Sequence, residues 1–251
     1  MKRISAILCL VLGTALIGRA EIPAGWSTNY SAALSDAGGE QKPALFFFTA
    51  SWCGPCKMMS RETLSDPAVQ QTLSNIVHAA IDIDEHPDMA AKHGIEAVPT
   101  FVMFSAAGEE VRRATGFQEA GEFLQWLTNG VAGAKESVLR REIFQKKLAE
   151  VDQLLVSTNA GALRQSAAQL FDLCAERDET LVRAAAERLR TVASRQPAAL
   201  LDGLNDPRLA ARIQAANALR AQLGDGFDAD PWADPATRAG AVEKWRAKLL
   251  R

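Results

Sequence analysis

The chain has 251 residues, 48% hydrophobic and 23% charged, with a formal net charge of -2. This is the composition of a soluble globular protein long enough for two small domains. No basic or acidic tract is present to draw it by charge to nucleic acid or to a membrane surface.

Lys2 and Arg3 precede an almost wholly apolar or small-residue run from Ile4 to Ile17, and Gly18-Arg19-Ala20 then puts small residues at the two positions a signal peptidase reads. The pattern predicts a signal peptide over residues 1–20, in preference to an uncleaved anchor, because the apolar run is short for a membrane span. Cys9 would be discarded with it. Cleavage after Ala20 leaves 25 of the 28 basic residues against 30 acidic ones, a mature net charge of -5. The protein is thus expected to be exported, periplasmic or secreted.

Trp26 to Ala37 carries a weak helical pattern that Gly38-Gly39 is expected to break. Ala44 to Ala50 is a continuous apolar run of strand length, the signature of a central strand buried on both faces. A Cys-x-x-Cys follows at once, then a helical stretch from about Lys57 to Leu64. Asp66-Pro67 restarts a helix through Leu73. Ile76 to Ile83 reads as a second strand, and Pro87 to His93 as a short helix closed by Gly94. Thr100–Phe104 and Glu110–Thr115 read as a hairpin turning at Ala106-Ala107-Gly108. Glu119 to Leu127 is an amphipathic helix ending near Gly130. Strands alternating with helices, then a late hairpin, imply a mixed sheet with helices on both faces.

No strand-like run occurs beyond Gly133. Apolar residues at helical spacing, from Leu139 to Leu223, predict four to six helices punctuated by Pro197, Pro207, Pro231 and Pro235. Residues 21–132 are therefore expected to form an α/β domain and residues 133–251 a small all-α domain. Asp178 with Leu181-Val182-Arg183-Ala184-Ala185-Ala186 and Leu189 is echoed by Asp206-Pro207 with Leu209-Ala210-Ala211 and Leu219. The echo is similar to HEAT-type helical repeats, at an offset shorter than theirs, and an ordinary alanine-rich bundle is the other reading.

Without Cys9, the cysteines are Cys53, Cys56 and Cys174. Two adjacent cysteines and one alone favour a working redox pair over a disulfide scaffold. In Trp52-Cys53-Gly54-Pro55-Cys56-Lys57 the pair stands at i and i+3 across a helix start. Unpaired N–H groups and the dipole there favour a thiolate at Cys53. Cys56 lies one turn inside, so Cys53 is expected to attack and a shielded Cys56 to resolve the mixed disulfide. A zinc half-site needs a second ligand pair, which Cys174, His78, His86 and His93 do not supply. An inert structural disulfide fits poorly with the flanking Trp52 and the intervening Gly54-Pro55. Cys174 falls on an apolar helical stripe and reads as a buried thiol, with a regulatory pairing to Cys53 as the alternative. His86 and His93 read as surface residues.

These motifs resemble the thioredoxin family over about residues 24–129. Trp52 to Lys57 matches its active site, Val98-Pro99-Thr100 its cis-proline loop, and Gly116 the end of the following strand. The resemblance implies an α/β thioredoxin fold and a thiol–disulfide oxidoreductase. Pro99 would be cis and pack on the disulfide, and the backbone at Val98, with Thr100 and Gly116 beside it, would pair with an extended substrate segment. Within the family the chain also resembles the periplasmic C-terminal domain of DsbD. Its implied partners are disulfide-containing client proteins and a membrane electron donor of DsbD type. The redox-active disulfide stands in place of any cofactor, and no metal is expected. One departure stands out: Phe47 occupies the position, six residues before Cys53, where thioredoxin buries an aspartate that helps move the resolving cysteine's proton. Glu62 and Lys57 are the alternative helpers. Two other functions fit the two-part layout. One is a binding scaffold with the helical domain as its working surface, and the other is a redox sensor whose Cys53–Cys56 state alters docking of that domain.

Overall fold

A computed structural model describes residues 20–176 and 178–250. The expected signal peptide, Cys9 included, lies outside the described residues except for Ala20. The chain divides into two compact units, after Ser137.

The first unit is built on a four-stranded sheet in the order β2-β1-β3-β4. Strand β1 (Ala44–Thr49) runs parallel to β2 (Val77–Asp82) and antiparallel to β3 (Thr100–Phe104), and β3 pairs antiparallel with β4 (Glu110–Thr115). Every residue of β1 is buried. Its side chains alternate between two cores. Phe46 and Phe48 face helices α1 (Tyr30–Glu40) and α4 (Pro87–Lys92), while Leu45 and Phe47 join a core with α2 (Gly54–Met58), α3 (Pro67–Leu73) and the start of α5 (Ala120–Val156). The apolar run therefore reads as the sheet's centre because both its faces are covered. Phe47 lies directly across from Phe101 in the antiparallel register, and the two rings stack at 4.6 Å.

Two helices depart from the sequence expectation. Helix α1 starts only at Tyr30, because the Asn29 carboxamide caps it by accepting the Ala32 N–H at 3.0 Å. It runs through Gly38 and Gly39 and stops at Gln41, in the left-handed region at φ 54°. The glycines are accommodated because Ala33 and Ala37 are fully buried and hold the helix on the sheet. Helix α5 does not end near Gly130. A Cβ at Gly130 would stand 2.6 Å from Met103 Sδ, so this glycine permits a close approach to β3 and the helix continues. His93 also differs from its expected surface position. Its ring is half-buried among Tyr30, Phe48 and Phe104, and its Nε2 is buried without a partner.

In the second unit, Phe144, Leu148, Val151 and Leu155 of α5 enter a core with α6 (Ala160–Leu173), α7 (Glu179–Arg195), a 3-10 helix (Pro197–Asn205), α8 (Leu209–Leu223) and α9 (Pro235–Leu249). The 3-10 helix packs between α6 and α9, and α7 packs beside α8, so the helices form two layers. Arg208 at the start of α8 pairs with Asp172 near the end of α6, which places the starts of α7 and α8 side by side. Asp178 caps α7 by accepting from Thr180 N and Leu181 N. Asp206 instead holds the Arg208 guanidinium and backbone, so the two echoed aspartates do different work.

Gly203 is the tightest point of this core: a Cβ there would sit 2.2 Å from Phe171 Cζ. Gly203→Ala is expected to destabilise the helical unit by about 1–3 kcal/mol, read as a lowered urea midpoint. His93 makes folding pH-dependent. Burial pushes its imidazole below the ordinary value, with Lys92 and Arg113 adding to the shift and Glu110 opposing it. The stability it contributes is present above about pH 6.5 and is lost as the pH falls through the folded-state pKa. Urea midpoints at about pH 7.5 and about pH 5.5 should therefore differ more in the parent than in His93→Phe.

Candidate active site

Strand β1 delivers the chain to the disulfide. Beyond Thr49, the Ala50 carbonyl accepts the Cys53 N–H at 3.1 Å, and this turn aims the chain into α2. Gly54 and Pro55 form the first turn, where proline's missing N–H costs nothing. Cys53 is the N-cap: its Sγ accepts the Cys56 N–H at 3.1 Å. Cys53 and Cys56 are joined by a disulfide, with Cα atoms 5.3 Å apart. The helix continues from α2 into a π-turn (Met59–Thr63) closed by Leu64 N–H on the Met59 carbonyl at 2.8 Å. Nothing in the sequence marks that turn, a feature frequent at functional sites.

Burial does not separate the two cysteines as expected: Cys53 is 3% exposed and Cys56 2%. In the oxidised state both sulfurs lie in one apolar cluster with Phe47, Met59 and Phe101. What separates them is the helix, because the cap position gives Cys53 Sγ an N–H donor and the positive end of the dipole.

The second wall is the Val98–Pro99 loop. The peptide bond between them is cis, as the resemblance implies, and Pro99 is buried while Val98 is half-buried. Thr100 Oγ1 donates to the Ala97 carbonyl at 2.7 Å and lies 3.1 Å from Thr115 Oγ1. Gly116, at φ 94°, donates its N–H to the Pro99 carbonyl at 2.8 Å. The loop after β4 is also tied to the disulfide helix. Gln118 N–H reaches Met59 Sδ at 3.3 Å, and Thr63 Oγ1 donates to the Gln118 carbonyl at 2.6 Å. Sequence reasoning missed Met59, Thr63 and Gln118, whose roles exist only through contacts more than 50 residues apart in the chain.

Trp52 stands 66% exposed, its indole N–H on Asp84 Oδ2 at 2.9 Å. Met58 and Phe117 are the other large exposed apolar side chains on these segments. Lys57 is half-buried in the last turn of α2, and Glu62 is exposed. Phe47 fills the position of the buried acid, packed between Phe101 and Trp26. Among the described residues, Asp82 is the buried carboxylate, and its oxygens accept from Ala20 N and Asp84 N. Cys174, 2% exposed and with its thiol pushed up to about 12 by burial, belongs to the core of the helical unit.

A Cys-x-x-Cys disulfide capping a helix at the end of a buried central strand, faced by a cis-proline loop, defines a thiol–disulfide oxidoreductase. The family described as "Thioredoxin-like domain" matches residues 30–130. A thioredoxin-like protein of Synechocystis sp. is 37% identical over 93 residues, covering 36% of this chain and 82% of the relative. The chain belongs to the thioredoxin family. The thiol:disulfide interchange protein DsbD of Yersinia pestis is 36% identical over 110 residues, covering 41% of this chain. The match spans only 18% of the length of that relative. The solved structure of a thioredoxin from Thermus thermophilus is 32% identical and covers 41% of this chain and 84% of its own, at a TM-score of 0.39.

The Trp52–Asp84 bond gives a direct test of how the rim is held. Asp84→Ala should lower kcat/KM for disulfide reduction about fivefold, the equivalent of about 1 kcal/mol for one hydrogen bond. Asp84→Asn keeps an acceptor oxygen and should retain most of the activity; the dithiothreitol-coupled insulin reduction assay measures both.

Proposed function

We propose that the chain reduces disulfides of client proteins outside the cytoplasm and is recharged by a membrane electron donor of DsbD type. The observation that carries this reading is the Cys53 cap: the sulfur that meets the client is the one whose thiolate the helix start stabilises. The likeness of residues in this region to part of DsbD, the Gly54-Pro55 pair and the export-type N-terminus support it.

The reaction runs in two exchanges. The Cys53 thiolate attacks one sulfur of the client disulfide, a Cys53–client bond forms, and the client's other sulfur leaves as thiolate. Cys56, as thiolate, then attacks Cys53 Sγ, forming the Cys53–Cys56 disulfide and releasing the client's second thiol. Two electrons pass to the client, and a donor dithiol returns them by the reverse exchanges. Trp52, Lys57, Gly54 and Pro55 frame the attacking sulfur. The backbone at Val98, with Thr100 and Gly116 behind the cis bond at Pro99, receives an extended client segment by strand addition. With Phe47 in place of a carboxylate, the proton on Cys56 is passed to the departing client thiolate rather than to a buried base, so the second exchange is the slow one.

Equilibration of the mature protein against glutathione buffers tests the direction. A potential near -270 mV, at about the thioredoxin end of the scale, is expected; one near about -120 mV would make the protein a disulfide donor and overturn the reading. In the same protein, Cys56→Ser should accumulate a mixed disulfide through Cys53, and Cys53→Ser should accumulate none.

A further inference from the structure

Gln118 lies between the two walls of the disulfide cleft. Two residues before it, the Gly116 N–H is bonded to the Pro99 carbonyl at 2.8 Å. Its own N–H reaches Met59 Sδ at 3.3 Å, and its carbonyl accepts from Thr63 Oγ1 at 2.6 Å. Met59 and Thr63 are fully buried, three and seven residues beyond the buried Cys56, whereas Met58, Arg61 and Glu62 are exposed. Cys56, Met59 and Thr63 therefore share the inward face of this helix, and Gln118 straddles that face.

The Gln118 carboxamide oxygen, Oε1, is buried with no hydrogen-bond partner. An unpaired buried acceptor is costly, and a redox role is one reason a protein keeps one. The hydroxyls on this helix are spent, Thr63 Oγ1 on the Gln118 carbonyl and Ser60 Oγ on the Cys56 carbonyl at 3.2 Å. Of the charged residues beside it in the chain or on the helix, Lys57 is half-buried and Arg61, Glu62 and Glu119 are exposed. Reduction of the disulfide adds one new donor to the inward face, the Cys56 thiol. Cys53 Sγ, as the thiolate at the helix cap, only accepts.

We propose that Gln118 is a positioning residue whose Oε1 accepts the Cys56 S–H in the reduced protein. It separates the two cysteines where burial does not. The helix cap favours Cys53 as thiolate, and Gln118 holds Cys56 as thiol. Once the Cys53–client disulfide has formed, the Cys56 proton goes to the departing client thiolate. Cys56 Sγ then bonds to Cys53 Sγ as the Cys53–client bond breaks, and Gln118 Oε1 is left without a partner, as in the oxidised structure. The hydrogen bond exists only while Cys56 is a thiol, so it stabilises the reduced form and raises the reduction potential. The inference rests on the cycling of Cys53 and Cys56 and holds for either direction of electron flow.

The test uses the full mature chain, its Gln118→Leu variant and Gln118→Glu, which keeps the side chain's shape. In the reduced parent, the infrared S–H stretching band that Cys56→Ser removes is expected at a lower frequency than in Gln118→Leu, while the Cys174 band does not move. Against glutathione buffers, Gln118→Leu is expected to favour the disulfide about fivefold more than the parent, a potential lower by about 20 mV at about 30 mV per tenfold change. In Gln118→Glu a carboxylate faces the Cys56 thiol, so release of client from Cys53 should rise as that carboxylate ionises, a pH dependence the parent lacks. A Cys56 band at one frequency in parent and Gln118→Leu, or one potential in both, overturns the proposal. So does a client-release pH profile in Gln118→Glu that matches the parent's. The two readings fail separately: a parent potential near about -120 mV overturns the reductive direction, while the difference between parent and variants still decides the role of Gln118.

Discussion

Strand β1 must be apolar on both faces, and the rest of the redox unit is arranged around that requirement. A strand covered on one side by α1 and α4 and on the other by α2, α3 and α5 cannot carry a polar side chain without a partner for it. Ala44 through Phe48 meet that demand with no polar atom. The strand is therefore fixed in register by its neighbours, with Phe47 locked against Phe101, and its exit is fixed too. Four residues past its end the chain has turned on the Ala50 carbonyl and placed Cys53 at a helix cap. The reactive sulfur is positioned by a core that contains none of the chemistry.

Around that sulfur the backbone of three separate segments is tied together by few contacts. Gly116 reaches the Pro99 carbonyl, and Gln118 is held from both sides by Met59 and Thr63. The π-turn belongs to this arrangement. It follows the disulfide helix directly, and both side chains that grip Gln118, Met59 and Thr63, lie within it. Trp52 is held differently, by one hydrogen bond at the surface. The Gln118 contacts are partly buried and the Trp52 contact is exposed, so the rim at Trp52 is the less constrained part of the cleft.

Local chemistry was legible in the sequence, and contacts between distant segments were not. The hairpin Thr100–Thr115 read correctly because its strands are short apolar or alternating runs and Gly108 supplies the positive φ its turn needs. Cys53 and Cys56 were legible from their spacing across a helix start, whereas Pro99 and its cis bond were legible only through the family resemblance. Gly130 misled because a glycine near a helix end looks like a stop, and only Met103, from another strand, shows that it is a point of close approach. His93 misled for a related reason: polar residues near a short helix read as surface until Tyr30, Phe48 and Phe104 close around the ring. Asp84 and Gln118 carry no signal at all, since their partners lie 32 and 55 or more residues away in the chain.

The short offset in the helical unit has a physical cause. Helix α6 spends 14 residues on one layer, whereas the corresponding element before α8 spends nine, wound as a 3-10 helix. At about 2.0 Å per residue nine such residues span about 18 Å, the length of about twelve residues of α-helix. Tighter winding lets a shorter segment fill the same layer between α6 and α9. It also brings the backbone at Gly203 against Phe171, a fit that no residue with a Cβ could share. Leu200, Leu201 and Leu204 are buried with it, so the geometric cost of a long 3-10 run is met by apolar burial at nearly every turn. The echo between the Asp178 and Asp206 segments is thus one of layer and packing, while winding and capping differ, as two stretches of sequence of unequal length require.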